Sequence, residues 1–132
     1  MQGRDISDEK VSDLVAYIRS FKPAPALAII AGAADTSAVD RGRGVFQREL
    51  CHRCHAPPAY TTPATYDVGL KDELGQSKFN PPSLRGVSQR DALFHDNRAV
   101  SLEQVFKKFR HQIREDLTAS DLSDLVQFLL SL

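Results

Sequence analysis

Val11, Leu14, Val15, Ile18 and Phe21 recur at intervals of three and four residues, the spacing of one face of an α-helix. Ser7 stands where an N-cap is needed, and Asp8 and Glu9 place negative charge in the first turn, where the helix dipole favours it. Pro23 and Pro25 stop this helix, and residues 23–37 read as an Ala/Pro linker. A second helix is expected over about Ala38 to Leu50, with Val39, Val45, Phe46 and Leu50 on its apolar side. Residues 56–100 lack periodicity and carry Pro57, Pro58, Pro63, Pro81 and Pro82, so they read as loop wrapped around something. Ser101-Leu102-Glu103-Gln104 has the capping-box pattern ahead of Val105, Phe106 and Phe109, a third helix. A last helix runs from about Thr118, with Leu122, Leu125, Val126, Leu129 and Leu130 as its buried stripe.

The two ends of the chain resemble each other. A shift of 111 residues lays Ile6, Ser12, Asp13, Leu14, Val15, Ser20 and Phe21 on Leu117, Ser123, Asp124, Leu125, Val126, Ser131 and Leu132. Two amphipathic helices can share this much by chance, because they share a pattern. The sharper reading makes residues 1–22 the terminal helix of a preceding, related domain, residues 23–37 its linker, and residues 38–132 one further domain.

Length and charge narrow the function. The 132 residues suit a single core of ordinary size. With 17 Lys+Arg against 17 Asp+Glu, no field of one sign exists to hold nucleic acid or an anionic membrane. The uncharged stretch from Pro23 to Ala34 is far shorter than the about 20 residues a membrane span needs. The start, Met1-Gln2-Gly3-Arg4-Asp5-Ile6, is not the basic segment and apolar run of an export signal. On that reading the chain is cytoplasmic, mature or a fragment.

Chemistry concentrates at Cys51-His52-Arg53-Cys54-His55, a C-x-x-C-H run. Two thiols one helical turn apart can each add to a vinyl group of one porphyrin, and the adjoining histidine then lies under the iron. This is the attachment signature of a c-type haem, with Cys51 and Cys54 as the thioether residues and His55 as the proximal ligand. A zinc site would need further ligands, and the chain has no third cysteine. A thioredoxin-like dithiol would need a βαβ surround that the helix-and-loop pattern does not offer. A large apolar macrocycle also gives the proline-rich middle something to pack on.

Several motifs around this run, taken in order, resemble one haem domain of bacterial di-haem cytochrome c peroxidases and MauG-like proteins. They are Cys51 to His55, Tyr66-Asp67-Val68-Gly69, Phe79-Asn80-Pro81-Pro82-Ser83-Leu84-Arg85-Gly86-Val87, Phe94-His95-Asp96-Asn97 and Ser101-Leu102-Glu103. The resemblance covers about residues 38–132. It implies a mainly α, cytochrome c-like haem domain with long irregular loops, one covalent haem c, a periplasmic or otherwise exported location, and electron transfer or peroxide chemistry. It also makes the helix of residues 1–22 the end of another cytochrome c-like domain. Partners on this reading are a redox protein or a second haem domain, with no nucleic acid and no direct membrane span. Asn97 stands where the family often has glycine, and asparagine tolerates the same left-handed backbone. The methionine that commonly serves as sixth ligand is absent, since Met1 is the chain's one methionine.

Three histidines remain for the opposite face of the iron. His52 lies inside the attachment loop and reads as a surface residue. His95 reads as a hydrogen-bonding residue at the haem edge. His111 falls between the third and last helices, where such a domain delivers its distal ligand, and the repeat lays Met1 on the adjacent Gln112. His111 is therefore the expected sixth ligand and Met1 the remnant ligand of a preceding haem. An open or water-bound iron is the alternative, and Tyr66 a further candidate. Arg85 is expected to pair with a haem propionate through its planar fork, whereas Arg110 reads as surface charge. The expected function is electron transfer through one haem. The alternatives are a peroxidase-like domain working with a second haem, which makes the chain part of an enzyme, and a structural module of a larger cytochrome assembly.

Overall fold

The computed structural model describes residues 5–22, 25–114 and 116–132. Met1 and Pro23 lie outside the described residues. The elements run α1 (Asp8–Ser20), α2 (Leu27–Ile30), α3 (Thr36–Arg48), β1 (Tyr66–Asp67), β2 (Lys78–Phe79), α4 (Leu102–Lys107) and α5 (Ala119–Leu130). The chain is mainly helical with long loops, as the periodicity anticipates. No helix among the described residues is long and apolar enough to cross a membrane.

The centre is the crossing of α3 on α5. Phe46 from α3 and Phe128 from α5 meet with ring centroids 5.2 Å apart, and Tyr60 closes the aromatic cluster from the loop. Phe46, Phe128 and Leu125 are the largest fully buried side chains. Gly42 makes the approach possible, because a Cβ at that position would land on the carbonyl oxygen of Asp124. The Asp124 carboxylate then takes both arms of Arg41, Nε at 2.7 Å and Nη2 at 2.8 Å. A two-pronged guanidinium–carboxylate pair fixes orientation as well as contact.

Boundaries depart from the sequence reading at three places. Helix α3 begins at Thr36, ahead of Ala38, because the Asp35 carboxylate accepts the backbone N–H groups of Ser37 and Ala38 at 3.0 and 3.1 Å. The Ala/Pro stretch contains the short turn of α2, and Ala26 beside it is buried. Helix α4 stops at Lys107 and leaves out Phe109, since the chain turns left-handed at Arg110, with φ of 46°. The caps at Ser7 and Ser101 stand as expected, and Thr118, about where the last helix was expected to begin, caps α5.

The proline-rich middle contains no long element, yet side chains tie it down. Asn80 Nδ2 donates to the carbonyls of Thr62 and Ala64, both at 2.9 Å, and the Ser83 hydroxyl donates to Ala59 at 2.6 Å. β1 and β2 pair antiparallel, Tyr66 opposite Phe79. Gly86 N–H donates to the carbonyl of Leu132 at 2.9 Å and anchors the loop to the end of α5. Asn97 adopts φ of 59°, the left-handed backbone anticipated for it.

Candidate functional site

The attachment motif begins where α3 ends. Leu50 takes left-handed angles, with φ of 60°, and turns the chain into a single 3-10 turn, Cys51–Arg53. The Cys51 carbonyl accepts N–H groups from Cys54 at 3.2 Å and His55 at 2.9 Å, which folds the motif back on itself. Both cysteines are half-buried and unpaired. Burial, and secondarily the nearby Glu49 charge, pushes the Cys51 thiol up to about 12. A redox-active dithiol needs the opposite, a thiol with a depressed pKa. Among the described residues, no three His, Cys, Asp or Glu side chains gather as a metal cluster would require.

His55 is held by a backbone carbonyl. Its Nδ1 lies 3.1 Å from the Tyr60 oxygen, which also accepts the N–H of Leu84 at 3.2 Å. Burial lowers the imidazole pKa, outweighing the carbonyls of Tyr60 and Pro82 that favour the cation. A neutral ring donating from Nδ1 to a carbonyl leaves the Nε2 lone pair free for a metal, the usual arrangement of a ligating histidine. Tyr60 reaches this position at φ of 53°, so the loop accepts an unfavourable backbone to orient the ring.

Cys51, Cys54 and His55 open onto a cavity of about 930 Å³, and His111 lines it too. Phe46, Val105, Leu125 and Leu129 supply apolar wall from three helices. Its volume is at the upper end of the about 300–1,000 Å³ of small-molecule and cofactor sites. His111 is set in a tight turn after α4. Its N–H donates to Val105 at 3.1 Å, and its neighbours Arg110 and Gln112 have φ of 46° and 51°. Left-handed backbone costs non-glycine residues about 1–2 kcal/mol each, and such strain collects at ligand clamps. Burial, then the charge of nearby His55, lowers the His111 pKa to about 4. The Nδ1 of His111 is buried with no hydrogen-bond partner among the described residues.

The remaining expected residues separate. His95 lines the cavity and stacks on Phe79, with centroids 4.0 Å apart and planes 20° from parallel. Tyr66 also lines it, but its hydroxyl is engaged by Thr62 Oγ1 at 3.0 Å and the Arg53 carbonyl at 3.4 Å. His52 is half-buried, not the surface residue expected, and its Nδ1 has no partner among the described residues. Arg110 is exposed and pairs with Asp116 at 2.9 Å.

Arg85 departs from its expected place. It is exposed and stands outside the cavity wall, whereas Arg53, Arg90 and Arg114 line it. The Gly86 turn at φ of 68° carries the chain away at this point, and Arg90 reaches back to donate to the Ser83 carbonyl at 2.9 Å. Sequence reasoning also missed Glu49, which is 5% exposed in the cavity wall. Its carboxylate pairs with Arg48 and accepts the Arg114 N–H, both at 3.3 Å. The one available signal was a carboxylate two residues before the first cysteine, one helical turn after the apolar pair Val45 and Phe46.

No protein-family model matches the chain, and no curated protein matches it. Two solved structures do. A MauG-like protein associated with microbial copper homeostasis aligns with 76% of this chain and 48% of its own, at 21% identity and a TM-score of 0.62. The hydrazine synthase of Kuenenia stuttgartiensis, in a structure pressurised with xenon, aligns with 97% of this chain and 56% of its own, at 20% identity and a TM-score of 0.68. The chain thus spans about half the length of the solved chains it matches. At these identities the likeness concerns the fold, which is mainly α and cytochrome c-like.

Proposed function

We propose that this chain is a c-type cytochrome domain that transfers electrons through one covalently bound haem. The observation that carries the reading is the convergence of two thiols and two imidazoles, Cys51, Cys54, His55 and His111, on one apolar cavity. Cys51 and Cys54 would hold the haem through thioether bonds to its two vinyl groups. Once bound, the haem supplies an iron that cycles between two oxidation states. His55 serves as proximal ligand, oriented by the Tyr60 carbonyl. His111 serves as the second imidazole, held by a strained turn and, among the described residues, without a hydrogen-bond partner at Nδ1. His95 stacks on Phe79 in the cavity wall, and the lining arginines Arg53, Arg90 and Arg114, rather than Arg85, would pair with the carboxylates of a bound haem. Likeness to a MauG-like protein supports the family that the motifs resemble. The location that follows from haem attachment is periplasmic or otherwise exported, and the partner is a redox protein or a second haem domain.

The test is a spectrum of protein matured by a cytochrome c assembly system. Haem should remain through denaturation and be lost from Cys51→Ala/Cys54→Ala. The iron should be low spin, with a potential in the lower part of the range of about 0.8 V that axial ligands span. His111→Ala should turn it high spin and open it to carbon monoxide. Zinc without haem sinks the reading, and a native iron that is already high spin and consumes peroxide favours a peroxidase-like enzyme instead.

A further inference from the structure

Glu49 is neither a thioether nor a ligand residue, yet its side chain is 3% exposed at the end of α3, in the cavity wall and two residues before Cys51. Burying a carboxylate is costly unless the charge is paired and hydrogen-bonded. Two contacts offset the cost here. Oε1 takes Nε of Arg48 and Oε2 accepts the Arg114 N–H, both at 3.3 Å. Arg48 reaches on to Asp121 in the first turn of α5, Nη2 to Oδ2 at 3.0 Å. An apolar residue after Val45 and Phe46 would fill the same space, but it could not hold an amide.

The amide that Glu49 holds belongs to the loop that carries His111. From Lys108 to Thr118 no described residue is buried, so this loop has no side chain in the core to anchor it. Its backbone hydrogen bonds among the described residues stay local: the N–H groups of Lys108 and Phe109 donate to Gln104, that of His111 to Val105 and that of Ile113 to Arg110. Phe94 meets the rings of Phe109 and His111 edge-on, both with centroids 5.4 Å away, and braces the first half of the loop. The second half is tied to α3 by the Arg114 N–H on Glu49, a contact between residues 65 apart in sequence. We propose that Glu49 is a positioning residue for the sixth ligand: its carboxylate ties the loop after His111 to the end of α3 and so fixes the His111 turn relative to the Cys51–His55 run. The inference rests on the haem reading of the cavity. Arg110 and Gln112, on either side of His111, have φ of 46° and 51°, and such backbone persists only where the surroundings hold it. Arg114 is exposed, so its N–H can turn to water once the carboxylate is gone, and losing the contact frees the loop without leaving a buried orphan.

The experiment uses the full, haem-loaded chain in its reduced form, with carbon monoxide as the probe. Glu49→Met keeps the buried volume and removes the acceptor. Its unfolding midpoint should hold, because an apolar group of similar size in place of a buried charge is often neutral. Carbon monoxide binding should nevertheless rise about tenfold or more, the scale of one lost hydrogen bond to a charged group, with a high-spin fraction appearing in the spectrum. Glu49→Gln, whose amide oxygen still accepts the Arg114 N–H, should return both readouts towards the native values. His111→Ala opens the iron by itself, and Glu49→Met added to it should change carbon monoxide binding no further. In the unsubstituted chain the Arg114 amide should be protected from hydrogen exchange. The proposal is overturned if that amide is unprotected, if Glu49→Met leaves carbon monoxide binding at the native level, or if Glu49→Gln behaves as Glu49→Met does. It is overturned equally if Glu49→Met acts as strongly in the His111→Ala background, since the carboxylate then works on something other than the ligand. A His111→Ala variant that keeps the native spectrum sinks the ligand assignment and this role with it, whereas failure confined to the Glu49 variants leaves the haem reading standing.

Discussion

Helices α1 and α5 share caps, apolar register and a central aspartate, and one is wholly exposed while the other forms the middle of the core. Periodicity and capping suffice to make each a helix, because these are relations within a few residues. Burial required something neither helix contains, a partner surface of the right shape. For α5 that surface is α3, where Gly42 lets the backbones close, Phe46 fills the space beside Phe128, and Arg41 neutralises Asp124. An aspartate on an apolar face is thus either a solvated neighbour or half of an ion pair, and only the opposite helix decides which.

The comparison can be broken hardest at the paired leucines. Leu125→Ala should cost about 2–5 kcal/mol, because the cavity it leaves lies in packed core, whereas Leu14→Ala should stay within about 0.5 kcal/mol. Denaturant unfolding of the two variants side by side measures the difference. The glycines of α3 come next. Gly42→Ala should destabilise by about 1–3 kcal/mol through overpacking against α5. A Cβ at Gly44 meets nothing within 4 Å among the described residues, so Gly44→Ala should stabilise by about 0.5–1 kcal/mol.

Caps sharpen the contrast at the next level. Thr118→Ala should lower global stability by about 1 kcal/mol, because α5 cannot fray without opening the core. Ser7→Ala should speed hydrogen exchange in the first turn of α1 and leave the global transition in place. The smallest effect is expected from acid. Arg41, by its hydrogen bonds first and its charge second, holds the Asp124 carboxyl below its ordinary value of 3.8. A depressed carboxylate pKa adds stability that is fully present above the unfolded value and is lost as pH falls through the lower folded one. The Arg41 side chain is 58% exposed, so solvent screens the pair and the loss should be modest. Asp124→Asn should remove that part of the acid dependence in a series of unfolding curves below pH 4.

The sequence alone determined whatever depends on near neighbours. The caps at Ser7, Ser101 and Thr118, the stripes of α3 and α5, the left-handed turn at Asn97 and the Cys51–His55 run are all set within a turn or two of chain. The order of motifs added the fold class, since the middle segment had to wrap on something held by that run. Tertiary structure decided what lies across space from what. It brought His111 to the cavity that His55 lines, engaged the Tyr66 hydroxyl elsewhere, and put the Tyr60 carbonyl behind the His55 ring. It placed Arg53, Arg90 and Arg114 in the cavity wall and turned Arg85 outward. It also buried Glu49, whose compensation comes from the adjacent Arg48 and from the distant Arg114 N–H. A charged side chain has no periodicity of its own. Its burial depends on partners supplied by other segments, and those meet only when the helices pack.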